Sequence, residues 1–299
     1  MRRVRVGVTV GDPAGIGPEI VDKARRDARV LEACDVVVFE PASLDGVKVG
    51  TENAAGGRAA YDTVVRGVEA CRRGEVDAIA TAPVSKRAFA LAGLPWKGHT
   101  DLLAHLCGVD HVRMLFYAEA AHPLCVTLAT VHVPLAAVPG LLTTPEVTRT
   151  IVMTADWLKG LGRSQPRVAL AGLNPHAGEG GLMGEEDEAV LRPAVAAART
   201  AGVEASGPWP ADTVFVRATR GEFDAVVACY HDQGLIPVKL LAFGQAVNVT
   251  IGLPIVRTSV DHGTAFDIAG RGQADPGSLV TAIRLAARLA RARQTVAEV

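Results

Sequence analysis

The chain has 299 residues, enough for one large domain or two ordinary ones. Apolar residues make up 49% and charged residues 21%, with 31 basic side chains against 32 acidic ones, so charge offers no reason to expect nucleic acid or a membrane surface as partner. No apolar run reaches the roughly 18 residues a bilayer span needs, and five scattered cysteines without a C-x-x-C pair read as reduced thiols of a cytoplasmic protein.

The opening Met1-Arg2-Arg3 leads straight into a strand-like run, Val4–Val10, with no export leader expected before it. The glycine loop G-D-P-A-G-I-G-P-E over 11–19 follows, and then a predicted helix, Pro18–Ala28. Strand and helix then alternate: Asp35–Phe39, Ala55–Arg73, Asp77–Thr81, Thr100–Leu106, Leu124–Val131, Pro145–Leu161, Val168–Leu173 and Glu185–Ala201. Two strands, Asp224–Tyr230 and Ala246–Ile251, precede a last helix over Gly277–Ala292. The strands are continuous apolar runs rather than alternating ones, as expected of strands buried on both faces. Helix starts are marked by Pro18, by Thr144 before Pro145-Glu146, and by Asp275-Pro276. Strand-then-helix alternation over the whole length predicts an α/β architecture with mostly parallel sheet.

The loop over 11–19 imitates a dinucleotide fingerprint and fails in detail. Ile20 stands where the third glycine is required, and Asp12 would set a carboxylate beside a pyrophosphate. A turn shaping a cleft wall is the better reading. The segment S-V-D-H-G-T-A-F-D-I-A-G-R-G over 259–272 is the stronger ligand loop, because polar side chains between glycines allow close approach.

His132, His176 and His231 each fall just beyond a predicted strand, in T-V-H-V-P, L-N-P-H-A-G-E-G-G and C-Y-H-D-Q-G. In open α/β sheets ligands bind beyond the carboxyl ends of strands, so these imidazoles are candidates to converge on one metal with an open position. The alternative is that each caps a loop or packs in a core. In K-G-H-T-D, His99 and Thr100 begin a helix whose first N–H groups suit an anion, or form an ordinary N-cap. His105, His111 and His122 read as solvated surface residues.

Together the blocks V-T-V-G-D-P-A-G-I-G-P-E, K-G-H-T, G-L-N-P-H-A-G-E-G-G, P-A-D-T, Y-H-D-Q-G-L-I-P-V-K and R-T-S-V-D-H-G-T-A resemble the 4-hydroxythreonine-4-phosphate dehydrogenase family of vitamin B6 biosynthesis, essentially end to end. The resemblance implies two α/β/α subdomains around a central cleft, like isocitrate and isopropylmalate dehydrogenases. The NAD-binding domain would take residues 1–95 plus 250–299, and the substrate, metal and dimerisation domain residues 96–249. His132, His176 and His231 would be ligands of one divalent metal (zinc, magnesium or cobalt), with the set completed across a homodimer by His231 of the partner subunit. His99, Thr100, Lys239, Asn248 and Arg257 would contact substrate, and Asp212 would lie near the reacting centre. Asp261, His262, Gly263, Thr264 and Asp267 would hold NAD, with NADP as the alternative. Lys239 is either a phosphate or carboxylate anchor or, if burial lowers its pKa, the general acid–base.

The implied reaction oxidises the secondary alcohol of 4-phosphohydroxy-L-threonine, giving a β-keto acid that loses CO₂. Family members commonly carry histidine where this chain has Leu182, whereas phospho-D-threonate and phospho-D-erythronate dehydrogenases more often carry an apolar residue there. A non-catalytic sensor of a phosphorylated metabolite is the rival from another class. An isopropylmalate-type enzyme would need an aspartate-based Mg²⁺ site, where this chain has histidines.

Overall fold

The computed structural model describes residues 2–297, and the chain divides into two compact units, Met1–Val112 with Val247–Val299, and Arg113–Ala246. The first unit begins with β1 (Arg5–Thr9), α1 (Gly17–Ala24), α2 (Ala28–Ala33), β2 (Asp35–Phe39), α3 (Ala54–Arg72), β3 (Ala78–Thr81), α4 (Lys86–Leu91) and α5 (His99–Cys107). The second holds β4 (Arg113–Ala118), β5 (Leu124–Leu128), α6 (Val138–Leu141), α7 (Thr144–Lys159), β6 (Arg167–Ala171), α8 (Arg192–Thr200), β7 (Glu204–Trp209), α9 (Ala211–Thr219), β8 (Ala225–Ala228) and α10 (His231–Ala242). The chain then returns to the first unit with β9 (Val247–Ile251), β10 (Arg257–Ser259) and α11 (Gly277–Ala297).

In the first unit the strand order is β2-β1-β3-β10-β9, parallel except for β9. Ile79 of β3 packs with Ala60, Val64 and Val68 of α3, Phe89 of α4 and Leu102 and Leu103 of α5. Thr258 of β10 instead donates its hydroxyl to the carbonyl of Ala282 in α11 at 2.9 Å. The sheet is thus covered on both faces, which is why its strands read as unbroken apolar runs. In the second unit the order is β4-β5-β8-β6-β7, parallel except for β4. Leu124, Val126, Leu128, Val226 and Ala228 form a core with Val214 and Phe215 of α9 and Leu235 and Val238 of α10.

Several elements were hidden in the sequence. Strand β10 is three residues long and polar, while β7 contains Gly207 and Pro208 and lies at a sheet edge, where a missing N–H is tolerated. Helix α10 carries Gly234 and Pro237, which disguise it. Gly234 is needed because a Cβ there would stand 2.7 Å from Leu128 Cδ2, so the helix rides directly on β5. The helix expected over Pro18–Ala28 is two, α1 and α2, and α8 is preceded by one wide π turn over Asp187–Leu191. Among the described residues no helix is long and apolar enough to cross a membrane.

Candidate active site

In the second unit, β5 and β8 run parallel with Leu128 opposite Ala228, and their pairing continues past both ends. Ala129 N–H donates to the Ala228 carbonyl at 2.8 Å, and the Thr130 hydroxyl donates to the Cys229 carbonyl at 2.8 Å. Two neighbouring strands therefore deliver His132 and His231 side by side, with ring centroids 5.3 Å apart and planes tilted by 43°. His231 opens α10 rather than lying in a loop, and its Nδ1 meets Asp232 Oδ1 at 2.7 Å.

His176 follows β6 in an unusual backbone. His176, Ala177 and Glu179 have φ of 52°, 54° and 43°, with Gly178 and Gly180 also positive, so the chain makes a left-handed turn here. Such a conformation costs a non-glycine residue about 1–2 kcal/mol. Asp187, wholly buried, offsets this by accepting the N–H groups of Leu173 at 2.9 Å and Asn174 at 3.0 Å and the Asn174 carboxamide at 3.0 Å. Glu179 Oε2 lies 2.9 Å from His176 Nδ1 and raises the imidazole pKa, with a smaller contribution from Asp212.

Sequence reasoning missed the residue that joins these strand exits. Gln233 accepts the Cys229 N–H at 2.7 Å and donates to the Gly172 carbonyl at 2.7 Å, so one buried carboxamide ties the turn before His231 to the turn before His176. Lys239 lies two turns further along α10 with its side chain exposed and engaged, and Asp212 is exposed in the first turn of α9.

The donor chemistry fits a divalent cation. His176 and His231 each turn Nδ1 to a carboxylate, an arrangement that fixes the tautomer and leaves the Nε2 lone pair as the donor. Among the described residues, however, no group of three or more His, Cys, Asp or Glu side chains stands together in one chain as a metal site. The chain brings His132 to His231, while His176, leaving from the neighbouring strand β6, turns to Glu179.

In the first unit, strand register lines up Thr9, Thr81, Ser259 and Asn248 across β1, β3, β10 and β9. Two residues upstream of Ser259 on the same face is Arg257, 2% exposed. It donates from Nη1 to Thr250 Oγ1 at 2.8 Å and from Nη2 to Thr81 Oγ1 at 2.7 Å, and no carboxylate pairs with it among the described residues. Burial pushes the guanidinium down to about 9, which still leaves it cationic at neutral pH. Arg257 Nε, His99 Nε2 and Asn248 Oδ1 are all buried atoms without a hydrogen-bond partner. Burial, then the charge of Arg257, hold the His99 imidazole well below its usual range, so His99 is neutral. Thr100 is the second residue of α5, one position on. A buried cation and three orphaned polar atoms are what an anion site looks like before its ligand arrives.

The loop from Asp261 to Asp267 is held at its start and at its middle. Asp261 N–H donates to Ser278 Oγ at 3.2 Å, and the Thr264 carbonyl accepts the Ile16 N–H at 2.9 Å. His262, Gly263 and Asp267 are exposed, and His262 Nδ1 turns to the Gly263 carbonyl at 3.0 Å. The glycine loop over 11–17 is its buttress, because a Cβ on Gly15 would stand 2.6 Å from the Thr264 carbonyl oxygen. Asp12 in that loop is wholly buried, its Oδ1 accepting the Ala14 N–H at 2.9 Å, and burial raises its pKa.

The profile of the family described as pyridoxal phosphate biosynthetic protein PdxA matches residues 15–286. A 4-hydroxythreonine-4-phosphate dehydrogenase of Beijerinckia indica is 44% identical, covering 95% of this chain and 94% of its own. A putative D-threonate 4-phosphate dehydrogenase of Bradyrhizobium diazoefficiens is 42% identical, covering 95% and 96%. The crystal structure of a 4-hydroxythreonine-4-phosphate dehydrogenase from Klebsiella pneumoniae superposes with a TM-score of 0.87 at 39% identity, over 96% of this chain and 98% of that one. An isocitrate dehydrogenase from Methylococcus capsulatus shares the fold alone, with a TM-score of 0.50 at 17% identity over 96% and 88% of the two chains.

Proposed function

The chain belongs to the PdxA family of pyridoxal phosphate biosynthetic proteins, and from that premise we propose that it is an NAD-dependent, divalent-metal-dependent dehydrogenase of 4-phosphohydroxy-L-threonine. The product, 2-amino-3-oxo-4-phosphooxybutanoate, is a β-keto acid and loses CO₂ to give 3-amino-2-oxopropyl phosphate. The observation that carries the reading is the His132–His231 pair, with His231 Nδ1 committed to a carboxylate. When bound, the cation would favour ionisation of the substrate hydroxyl, and NAD would supply the acceptor for the hydride leaving the carbinol carbon. His132, His176 and His231 would hold the cation, and Asp261, His262, Gly263, Thr264 and Asp267 the dinucleotide.

The chain's own residues do the rest. Arg257 and Lys239 bind phosphate and carboxylate, with Arg257 offering a planar fork of donors. Neutral His99 hydrogen-bonds the substrate at Nε2 without adding charge, beside Thr100 and Asn248. With Lys239 exposed and serving as an anion anchor, the Asp212 carboxylate takes up the hydroxyl proton.

A homodimer fits the exposed apolar side chains of α10 and its exit, Ile236, Leu240 and Phe243, which are 65%, 88% and 81% exposed. A second copy seated on them would lie along the helix that His231 begins, consistent with a ligand set completed by His231 of the partner subunit. Among the described residues Cys34, Cys71, Cys107, Cys125 and Cys229 form no disulfide, which suits the cytoplasm.

One residue favours a second reading. Leu182 is 85% exposed beside the His176 turn, at a position where the resemblance implies that phospho-D-threonate dehydrogenases more often carry an apolar residue. Rates of NADH formation from 4-phosphohydroxy-L-threonine and from D-threonate 4-phosphate, run side by side, decide between them. Faster turnover of the amino acid supports the first reading, and turnover of only the hydroxy acid replaces it with the second. No NADH from either would leave a phospho-metabolite sensor.

A further inference from the structure

Arg257 is a buried cation whose nearest partners are uncharged. Buried guanidinium groups are ordinarily paired with a carboxylate, because an isolated charge in a low-dielectric interior is expensive. Here the strand bearing Arg257 lies between β3 and β9, and each neighbour contributes a threonine. Thr81 Oγ1 accepts from Nη2 at 2.7 Å, and Thr250 Oγ1 accepts from Nη1 at 2.8 Å. Both threonines are buried, at 0% and 4% exposure. Of the five guanidinium hydrogens, two are thereby fixed, and Nε remains without a partner.

We propose that Thr81 and Thr250 are positioning residues that clamp Arg257 between two neutral hydroxyls, fixing the direction of its fork while leaving its charge for an anionic group of the substrate. This rests on the proposed function, in which Arg257 meets a phosphate or carboxylate, and it names what makes that encounter strong. Acidic residues at either threonine position would hold the guanidinium as firmly and neutralise it. Apolar residues would leave the charge but lose the direction. Threonine does neither, and the incoming anion supplies the missing counter-charge. Three N–H hydrogens are left to meet it, which suits an oxyanion with several acceptor oxygens. His99, whose imidazole senses the charge of Arg257, stays neutral and adds no competing cation.

The test uses the full-length protein and two readouts, the dissociation constant for inorganic phosphate by calorimetry and the steady-state constants with 4-phosphohydroxy-L-threonine. Thr81→Val and Thr250→Val keep shape and remove the hydroxyl. Each is expected to weaken phosphate and raise the substrate KM about tenfold, with kcat changed far less and the KM for NAD unchanged. Thr81→Ser and Thr250→Ser, which restore the hydroxyl, are expected to recover wild-type phosphate binding. Valine variants that bind phosphate like wild type overturn the proposal. So do serine variants that bind it about tenfold more weakly, since the methyl group and not the hydroxyl would then matter, and this arm stands even if a valine variant fails to fold. Arg257→Met separates the two claims. If it binds phosphate normally, the anion role of Arg257 itself fails, whereas loss of binding there with normal threonine variants refutes the clamp alone.

Discussion

His132 and His231 stand with their ring centroids 5.3 Å apart because they leave adjacent parallel strands at nearly the same height. Neither residue lies near the other in sequence; the β5–β8 pairing makes them neighbours. His176 comes from the next strand, β6, on the far side of β8.

Replacing His176 by Ala is expected to abolish metal-dependent turnover and lower the metal bound per chain at saturation, with far-ultraviolet circular dichroism unchanged. The replacement also relieves nothing in the left-handed turn, because alanine has the same aversion to positive φ. Near-normal metal content and turnover would remove His176 from the ligand set.

Gln233→Ala should be costly in stability and not only in rate. It leaves the Cys229 N–H and the Gly172 carbonyl unpaired in a buried place. A loss of about 2–6 kcal/mol is expected from urea unfolding, since each of the two unsatisfied buried groups costs about 1–3 kcal/mol. A loss below about 0.5 kcal/mol would show that the carboxamide does not tie the two strand exits together.

His99 makes stability depend on acidity in one direction. Its folded pKa lies well below the unfolded value of 6.5, so below that value the unfolded chain takes up a proton that the folded one refuses. Stability from this residue is therefore complete above about pH 6.5 and falls as the pH drops below it. Urea midpoints measured between about pH 7.5 and 5 should decline more steeply in wild type than in His99→Gln, which cannot be protonated. Parallel declines would mean that His99 titrates normally in the folded protein.

Leu240→Glu combined with Phe243→Glu places two charges on side chains that are 88% and 81% exposed in the single chain. Folding of the chain should be untouched, while sedimentation equilibrium should change from dimer to monomer and turnover should be lost with it. A monomeric wild type, or a fully active monomeric variant, would exclude a site shared between subunits.

How much of this was legible beforehand follows from what each signal depends on. Strand β2 is read at its exact limits, Asp35–Phe39, because its apolar run is closed by Glu40 and Pro41, even though this edge strand is only partly buried. The histidines were found as strand-tip residues because the rule about ligand sites in α/β sheets is topological. Helix α10 escaped because its glycine and proline serve a close approach to β5 that no local pattern reveals. Gln233, Asp187, Thr81 and Thr250 were missed for a common reason. Each acts by hydrogen-bonding a group far away in sequence, and nothing in its neighbours announces the partner. The loop over 11–17 misled by spacing alone. Its glycines are small to let the backbone of Thr264 and Val10 approach, not to admit a pyrophosphate.

The central claim is that imidazoles at strand tips hold the cation on which alcohol oxidation depends. NADH formation from 4-phosphohydroxy-L-threonine, followed during titration with a chelator and then with zinc, cobalt or magnesium, tests it most directly. The rate should fall to background on chelation and return as about one equivalent of metal binds per site. Full turnover in metal-free protein would contradict the account.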